Sequence, residues 1–309
     1  MKCLVTGATG FIGRVLLGEL QQAGHEVRAF SLHGCPGAED PGIQALNLPS
    51  HALDPAQLVD VDVVYHLAGI AHQRAEADAY ERVNVQATLQ LARQAAAAGV
   101  PLFVFLSSVK AQQAEVETGR DPYGSSKYRA EQALLEAYAT GPMTVVILRP
   151  ALVYGAGVKG NLATLVRAVE HGMPRPPALG GRSMVSVADL ARLLRVLAEQ
   201  RPASTGVTLW SVTDGESYST QRLYDALTRA RGGEPGRAWL PLWCWRLLAA
   251  VLDLLTLSRP GDRYTRLFGS EDYDGSALGQ ALGWTAREVF EDQAPRIVAA
   301  RSGRGSEAA

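Results

Sequence analysis

Tyr123 and Lys127 stand four residues apart in the string YGSSK, and 14 residues separate Tyr123 from the serine pair Ser107-Ser108. At helical spacing the tyrosine and lysine share one face. An ammonium beside a phenol favours the phenolate, which would bring a pKa of about 10 down toward the working range. Such a pair can move a proton on or off an alcohol as it interconverts with a carbonyl. The two serines close an apolar run, and neighbours on a strand point to opposite sides, so only one should face the reacting oxygen; we assign Ser108. A second set is Gly7, Gly10 and Gly13, spaced three apart in TGATGFIG. Glycines placed after an apolar strand and before an apolar helix allow a tight turn and a close approach of helix N–H groups to a pyrophosphate.

Holding these groups requires strands that end at one edge of a sheet. The run before Gly7 reads as a strand, a helical pattern follows (Val15, Leu16, Leu17, Leu20), and 26–30 (EVRAF) reads as the next strand. Further apolar runs at 62–67, 102–106 and 144–148 alternate with helical stretches at about 80–98 and 123–138. Continuous apolar strands belong to parallel sheets buried on both faces. The expected fold is α/β: a Rossmann-type doubly wound parallel sheet with a smaller C-terminal substrate-binding lobe. We divide the chain into a dinucleotide-binding domain at 1–150, a mixed lobe at 151–300 and a disordered tail at 301–309. Short apolar pieces at 184–187 and 207–212 are expected to interleave with the main sheet.

The composition sets limits on partners. Thirty basic against 31 acidic side chains in 309 residues, with no basic block, argue against nucleic acid or an anionic membrane as the main partner. Cys3, Cys35 and Cys244 lack C-x-x-C spacing, so neither a disulfide framework nor a zinc or other metal site is expected. The N-terminal apolar run is too short for a signal peptide, and the expected location is the cytoplasm. The segment 241–257 (PLWCWRLLAAVLDLLTL) is shorter than a membrane span and carries Arg246 and Asp253 seven apart, on one helix face. Its favoured reading is an amphipathic helix packed on its own protein, with a subunit or membrane-surface contact as the alternative.

At the end of the second strand, where a carboxylate would select NAD, stands Ser31, and no acid follows until Glu39. The choice between NAD and NADP stays open. Asn47 at the adenine edge could bond either, and Leu67, Ala68 and Gly69 should run along the cofactor.

The strings TGATGFIG (6–13), HLAG (66–69), Asn84-Val85, FLSS (105–108), YGSSKYRAE (123–131), RPALVYG (149–155) and RSMVSVADL (182–190) run in order through the first 190 residues. Together they resemble the extended short-chain dehydrogenase/reductase family, in its nucleotide-sugar epimerase/dehydratase branch. The resemblance implies an enzyme in which Ser108, Tyr123 and Lys127 are catalytic. It implies NAD(P) bound by Gly7, Gly10, Phe11, Ile12, Gly13, Ser31, Asn47, Leu67, Ala68, Gly69, Tyr123, Lys127 and Pro150, tightly if the enzyme is an epimerase. Asn161 and Arg182 would meet the diphosphate of a UDP-sugar, a guanidinium fork suiting phosphate well, with Ser108 and Tyr123 at the sugar. Two departures from common hexose epimerases, the short link after Ser108 and Leu152 in place of asparagine, argue against a simple UDP-glucose/UDP-galactose assignment, while the strings FLSSVK (105–110) and RPALVYGAGVKGN (149–161) look more like bacterial surface-polysaccharide members. The expected reaction is oxidoreduction at C4 of a UDP-sugar, a 4-epimerase or 4-keto reductase for an N-acetylated or 6-deoxy hexose. A 4,6-dehydratase is disfavoured because VKAQQ, with no Asp-Glu pair, follows Ser108; another carbonyl reductase, or a non-catalytic dinucleotide sensor or assembly protein, completes the alternatives. A homodimer through the helices near 80–98 and 123–138 is expected, with Ala92, Ala95 and Ala96 allowing close packing.

Overall fold

The computed structural model describes residues 1–34, 42–48, 50–71, 76–116, 121–201, 205–255 and 261–306. Cys35 and Glu39 lie outside the described residues. In chain order the elements are β1 (Lys2–Thr6), α1 (Phe11–Gln22), β2 (Glu26–Ser31), β3 (Ile43–Ala45), β4 (Val63–His66), α2 (Ala77–Tyr80), a π-helical stretch (Glu81–Gln86) and α3 (Ala87–Ala97). Next come β5 (Leu102–Leu106), α4 (Val109–Val116), α5 (Pro122–Tyr138), β6 (Thr144–Pro150), β7 (Leu152–Tyr154), α6 (Gly160–Glu170), β8 (Gly181–Arg182) and β9 (Met184–Ser186). The remainder is α7 (Val187–Glu199), β10 (Gly206–Val212), α8 (Thr220–Ala230), α9 (Leu242–Leu255), α10 (Asp262–Phe268), β11 (Ser270–Glu271), α11 (Ser276–Leu282) and α12 (Phe290–Ser306).

Seven strands form one parallel sheet in the order β10-β6-β5-β4-β1-β2-β3. Every residue of β4, β5 and β6 is buried, as strands covered on both faces require. The chain runs outward from β1 through β2 and β3, then returns to β4 on the other side. The strand order therefore reverses between β1 and β4, and doubly wound sheets bind ligands outside the carboxyl ends of the strands at such a switch point. The Rossmann-type fold is therefore as the sequence implied.

The chain forms two compact units. One comprises Met1–Ala151, Val187–Val212 and Gly275–Thr285; the other comprises Leu152–Ser186, Thr213–Asp274 and Ala286–Ala309. The core of the first packs Leu4, Phe30, Val64, Phe103 and Ile147 with Ala92 and Ala95 of α3. Those two alanines are fully buried within the single chain, so they cannot serve as the dimer contact expected of them: the small side chains let α3 lie close on its own sheet. The second unit packs Tyr154, Leu162, Tyr218, Leu223 and Phe290. There the Tyr154 and Tyr218 hydroxyls donate to Asp214 Oδ2 at 3.0 and 2.8 Å.

Several local expectations need correction. β10 joins the main sheet, but β9 pairs with β7 in a separate two-stranded sheet; three residues between Ser183 and α7 are too few to carry a strand back to the larger sheet. The helix expected over 80–98 is divided by its π-helical stretch. The link from Ser108 to Tyr123, read as a loop, contains the eight-residue helix α4. α12 reaches Ser306, into the stretch set down as a tail, and 307–309 lie outside the described residues. On α9 only Trp245, Ala249 and Asp253 are buried, so the helix packs on its own protein by a narrow stripe alone. Its two charges also part company. Asp253 turns inward and accepts from the Gly261 and Arg263 amides at 2.8 and 3.1 Å, while exposed Arg246 lies over the Tyr264 ring.

Candidate active site

The glycine turn is shaped by how closely its backbone is pressed. Gly7 has φ +74°, and a Cβ there would come within 2.7 Å of the Ala68 amide nitrogen. A Cβ on Gly13 would overlap the Gly7 carbonyl oxygen, so the first turn of α1 lies directly on the loop. Gly10 caps α1, donating its amide to Gly7 O at 2.9 Å, with no side-chain cap and no acid in the first helical turn. The helix N-terminus thus keeps its positive end for an anion. Phe11 and Ile12 are half-buried beside it, and Leu67, Ala68 and Gly69 follow β4 along the same edge. This cradle, filled by any side chain at Gly7 or Gly13, fits the pyrophosphate of a dinucleotide.

Below the turn lies a buried polar cluster. His66 is fully buried, its Nδ1 2.7 Å from Thr6 Oγ1 and its Nε2 3.0 Å from Thr88 Oγ1. Burial, with Lys127 nearby, lowers its pKa to about 3, so the ring is neutral. Ser31 ends β2 buried, with its hydroxyl donated to Gly34 O at 2.9 Å. The half-buried Asn47 starts a turn through its carbonyl, which accepts from Ser50 and His51. Pro150 is buried at the end of β6.

The two serines do point apart. Ser107 Oγ donates to Glu131 Oε1 at 2.5 Å, and Arg149 grips the same carboxylate through Nε and Nη2 at 3.0 and 2.5 Å. Glu131 is fully buried and Arg149 nearly so; a bidentate geometry of this kind is what a buried ion pair needs to offset its desolvation. Ser108 lies on the other side, its Oγ accepting from the Lys110 amide at 3.2 Å and close enough to the Tyr123 phenol to draw its pKa down.

Helix α5 begins on a sequence signal. Asp121 caps it, accepting from the Tyr123 amide at 3.1 Å, and Pro122 takes the first helical position. Gly124 allows α5 to approach α4, since a Cβ there would sit 2.5 Å from Lys110 O. Lys127 is carried into the core, where Nζ donates to Leu106 O at 2.8 Å and stands 4.5 Å from the Phe105 ring centroid. Burial lowers its pKa to about 8, with Glu131 pulling in the opposite direction. The Tyr123 phenol differs from expectation. Burial pushes it up to about 12, Ser108 draws it down, and Asp121 and Tyr80 push it further up. In the free chain, desolvation therefore outweighs any help from the ammonium.

Two residues given no role from the sequence belong here. Asn84, fully buried in the π-helical stretch, accepts from the Ile70 amide at 2.8 Å and donates to Ser126 Oγ at 2.9 Å. It ties the loop after β4 to α5, and a Cβ on Gly69 would meet both Asn84 Oδ1 and Lys127 Nζ. Asn84 was visible in the string that carries the family resemblance, whereas nothing in the sequence marked Tyr80. Local π-helices often occur at functional sites.

In the second unit, Asn161 is exposed in the first turn of α6, which has no side-chain cap and no acid. Arg182 donates through Nη2 to Arg266 O at 2.8 Å, near the end of α10. Its Nε is buried without a partner, and burial lowers its pKa. A guanidinium with an unspent donor and a bare helix N-terminus both suit phosphate oxygens. Among the described residues no cluster of metal ligands occurs.

A dinucleotide turn at the switch point of a parallel sheet, with serine, tyrosine and lysine gathered beyond the next strand, defines a Rossmann-type oxidoreductase. The NAD dependent epimerase/dehydratase family matches residues 3–208, and the chain belongs to that family. It is an NAD-dependent enzyme of the extended short-chain dehydrogenase/reductase type. It is 30% identical to a UDP-glucose 4-epimerase of Vibrio cholerae, over 97% of this chain and 96% of that protein. A 2-alkyl-3-oxoalkanoate reductase of Stenotrophomonas maltophilia is 28% identical over 75% of this chain and 76% of its own. Among solved structures, MoeE5 in complex with UDP-glucuronic acid and NAD superimposes with TM-score 0.75 at 26% identity, covering 98% of this chain and all of that one.

Proposed function

We propose that the protein is a UDP-hexose 4-epimerase. The observation that carries this reading is Ser108 close to the Tyr123 phenol, with Lys127 buried one helical turn further along α5, at the carboxyl edge that also holds the glycine turn. A bound NAD would supply the hydride acceptor and donor that exchange at sugar C4 requires. Tyr123 Oη receives the C4 hydroxyl proton as the carbonyl forms and gives it back as the alcohol is restored. Ser108 holds the reacting oxygen, and Lys127 holds the nicotinamide ribose and favours the phenolate. Gly7, Gly10, Phe11, Ile12 and Gly13 meet the pyrophosphate, with Ser31, Asn47, Leu67, Ala68, Gly69 and Pro150 along the rest of the dinucleotide. NAD is favoured over NADP, since MoeE5 holds NAD and the described end of β2 supplies no arginine for a 2′-phosphate. Asn161 and Arg182 hold the UDP diphosphate.

Leu152, where many hexose epimerases carry asparagine, supports an N-acetylated or 6-deoxy sugar of the kind found in surface polysaccharide, handled in the cytoplasm by a homodimer paired through the outer faces of α3 and α5. The test is chromatography of UDP-GlcNAc and UDP-glucose after incubation with the enzyme and no added cofactor. Appearance of the C4 epimer, and NAD released on denaturation, are expected. The ketoreductase relative favours a second reading, reduction of a keto substrate. Stoichiometric consumption of NADH or NADPH with a 4-keto-6-deoxy UDP-sugar, and no epimer, would replace the first reading with the second.

A further inference from the structure

We propose that α9 and the turn before it dock this protein on an anionic lipid surface. Trp239 and Trp243 are 72% and 65% exposed, and Leu247, Leu248, Val251, Leu252, Leu254 and Leu255 are exposed with them. A contiguous apolar face of this kind is unusual on a protein that meets only water. The helix is held to the protein by its narrow inner stripe. Trp245 and Ala249 pack inward, and the Asp253 carboxylate holds the amides at the start of α10. The apolar side is therefore turned outward.

The occupant is indicated by charge. Between 237 and 266 the sequence has five arginines and two aspartates, in a chain whose totals are 30 basic and 31 acidic. One of those aspartates, Asp253, is buried and engaged, so it does little to offset the exposed Arg237, two residues before Trp239, and the exposed Arg246 of α9 itself. Exposed tryptophans with arginines at the rim match the boundary between acyl chains and anionic headgroups. A second copy of the chain would instead have to cover the tryptophans with the same patch related by a two-fold axis, an outcome the oligomeric state reads out below. At 14 residues the helix is also too short to cross a bilayer, and no described helix is long and apolar enough to do so. It would lie in the plane of the surface.

The experiment is flotation of the full chain with vesicles of phosphatidylglycerol and phosphatidylcholine in equal parts, against phosphatidylcholine alone, at low and high salt. Expected is flotation with the anionic vesicles, a blue shift of tryptophan fluorescence, and weakening by salt. Arg237→Glu with Arg246→Glu should weaken binding at least about tenfold. Trp243→Ser with Leu254→Ser should abolish it, with circular dichroism and activity in solution unchanged for both variants. A wild-type chain that stays with the protein fraction, or variants that float like wild type, would overturn the proposal. So would a wild-type oligomer that Trp243→Ser with Leu254→Ser converts to monomer, since the face would then belong to a second copy.

Discussion

Lys127 holds its charge where the fold disfavours it, and this gives a pH signature. Its pKa falls from 10.5 in the unfolded chain to about 8 on burial. Below about pH 8 both states are protonated and the full cost of burying the ammonium, on the order of 3 kcal/mol, is present. Between 8 and 10.5 the folded state binds fewer protons than the unfolded one, so stability from this group rises with pH. The melting temperature of wild type relative to Lys127→Met should therefore climb between pH 7 and pH 10; a constant gap would contradict the assignment. Tyr123→Phe should lower kcat by about 10²–10⁴ without unfolding the protein, as read by turnover and circular dichroism. The reacting groups were legible at this scale because Tyr123 and Lys127 are local and serine directions follow strand alternation. The direction of the Tyr123 pKa was not, because it is set first by burial, which depends on packing between segments distant in sequence, with Asp121 and Tyr80 adding to it through their charge.

Among elements, the join between β1 and α1 has the least slack. Gly13→Ala places a methyl against the Gly7 carbonyl oxygen, and the resulting shift should cost about 1–3 kcal/mol of stability. It should also weaken cofactor retention, measured as the NAD released per chain on denaturation. The ties between β1, β4 and α3 carry an acid liability. His66 is neutral in the folded chain, with its pKa lowered from 6.5 to about 3, so stability is lost as pH falls below 6.5 while the unfolded ring takes up a proton. At pH 5 this amounts to about 2 kcal/mol, and urea denaturation of His66→Gln should show a correspondingly smaller drop between pH 7 and pH 5. The alternation of strand and helix was readable because β4, β5 and β6 are unbroken apolar runs. α4 was not, since VKAQQAEV has little apolar periodicity, and the pairing of β7 with β9 escaped because three-residue strands carry no pattern of their own.

For the whole molecule, phosphate recognition is expected from backbone N–H groups and a single guanidinium rather than from a basic surface, in keeping with the near-balanced charge. UDP should then raise the melting temperature through mass action, by about 2.7 kcal/mol at a hundred times its Kd. Arg182→Ala should remove most of that shift while leaving the unliganded melting temperature close to wild type. The return of the strand at 207–212 to the main sheet was readable from its apolar run, whereas the return of Gly275–Thr285 to the first unit was not, since it rests on contacts between distant segments. One chain of contacts also has a fixed polarity. Thr88 gives its only hydroxyl proton to Asn84 O at 2.8 Å, so it can only accept from His66 Nε2–H. Nδ1 must then be bare and accept from Thr6, which sets a single tautomer. From there Asn84 donates to Ser126, and Ser126 to Tyr123 O at 2.8 Å. Every proton in the series points from the strand beneath the glycine turn toward the helix that carries Tyr123, and nitrogen-15 shifts of the His66 ring should report that one orientation throughout the neutral pH range.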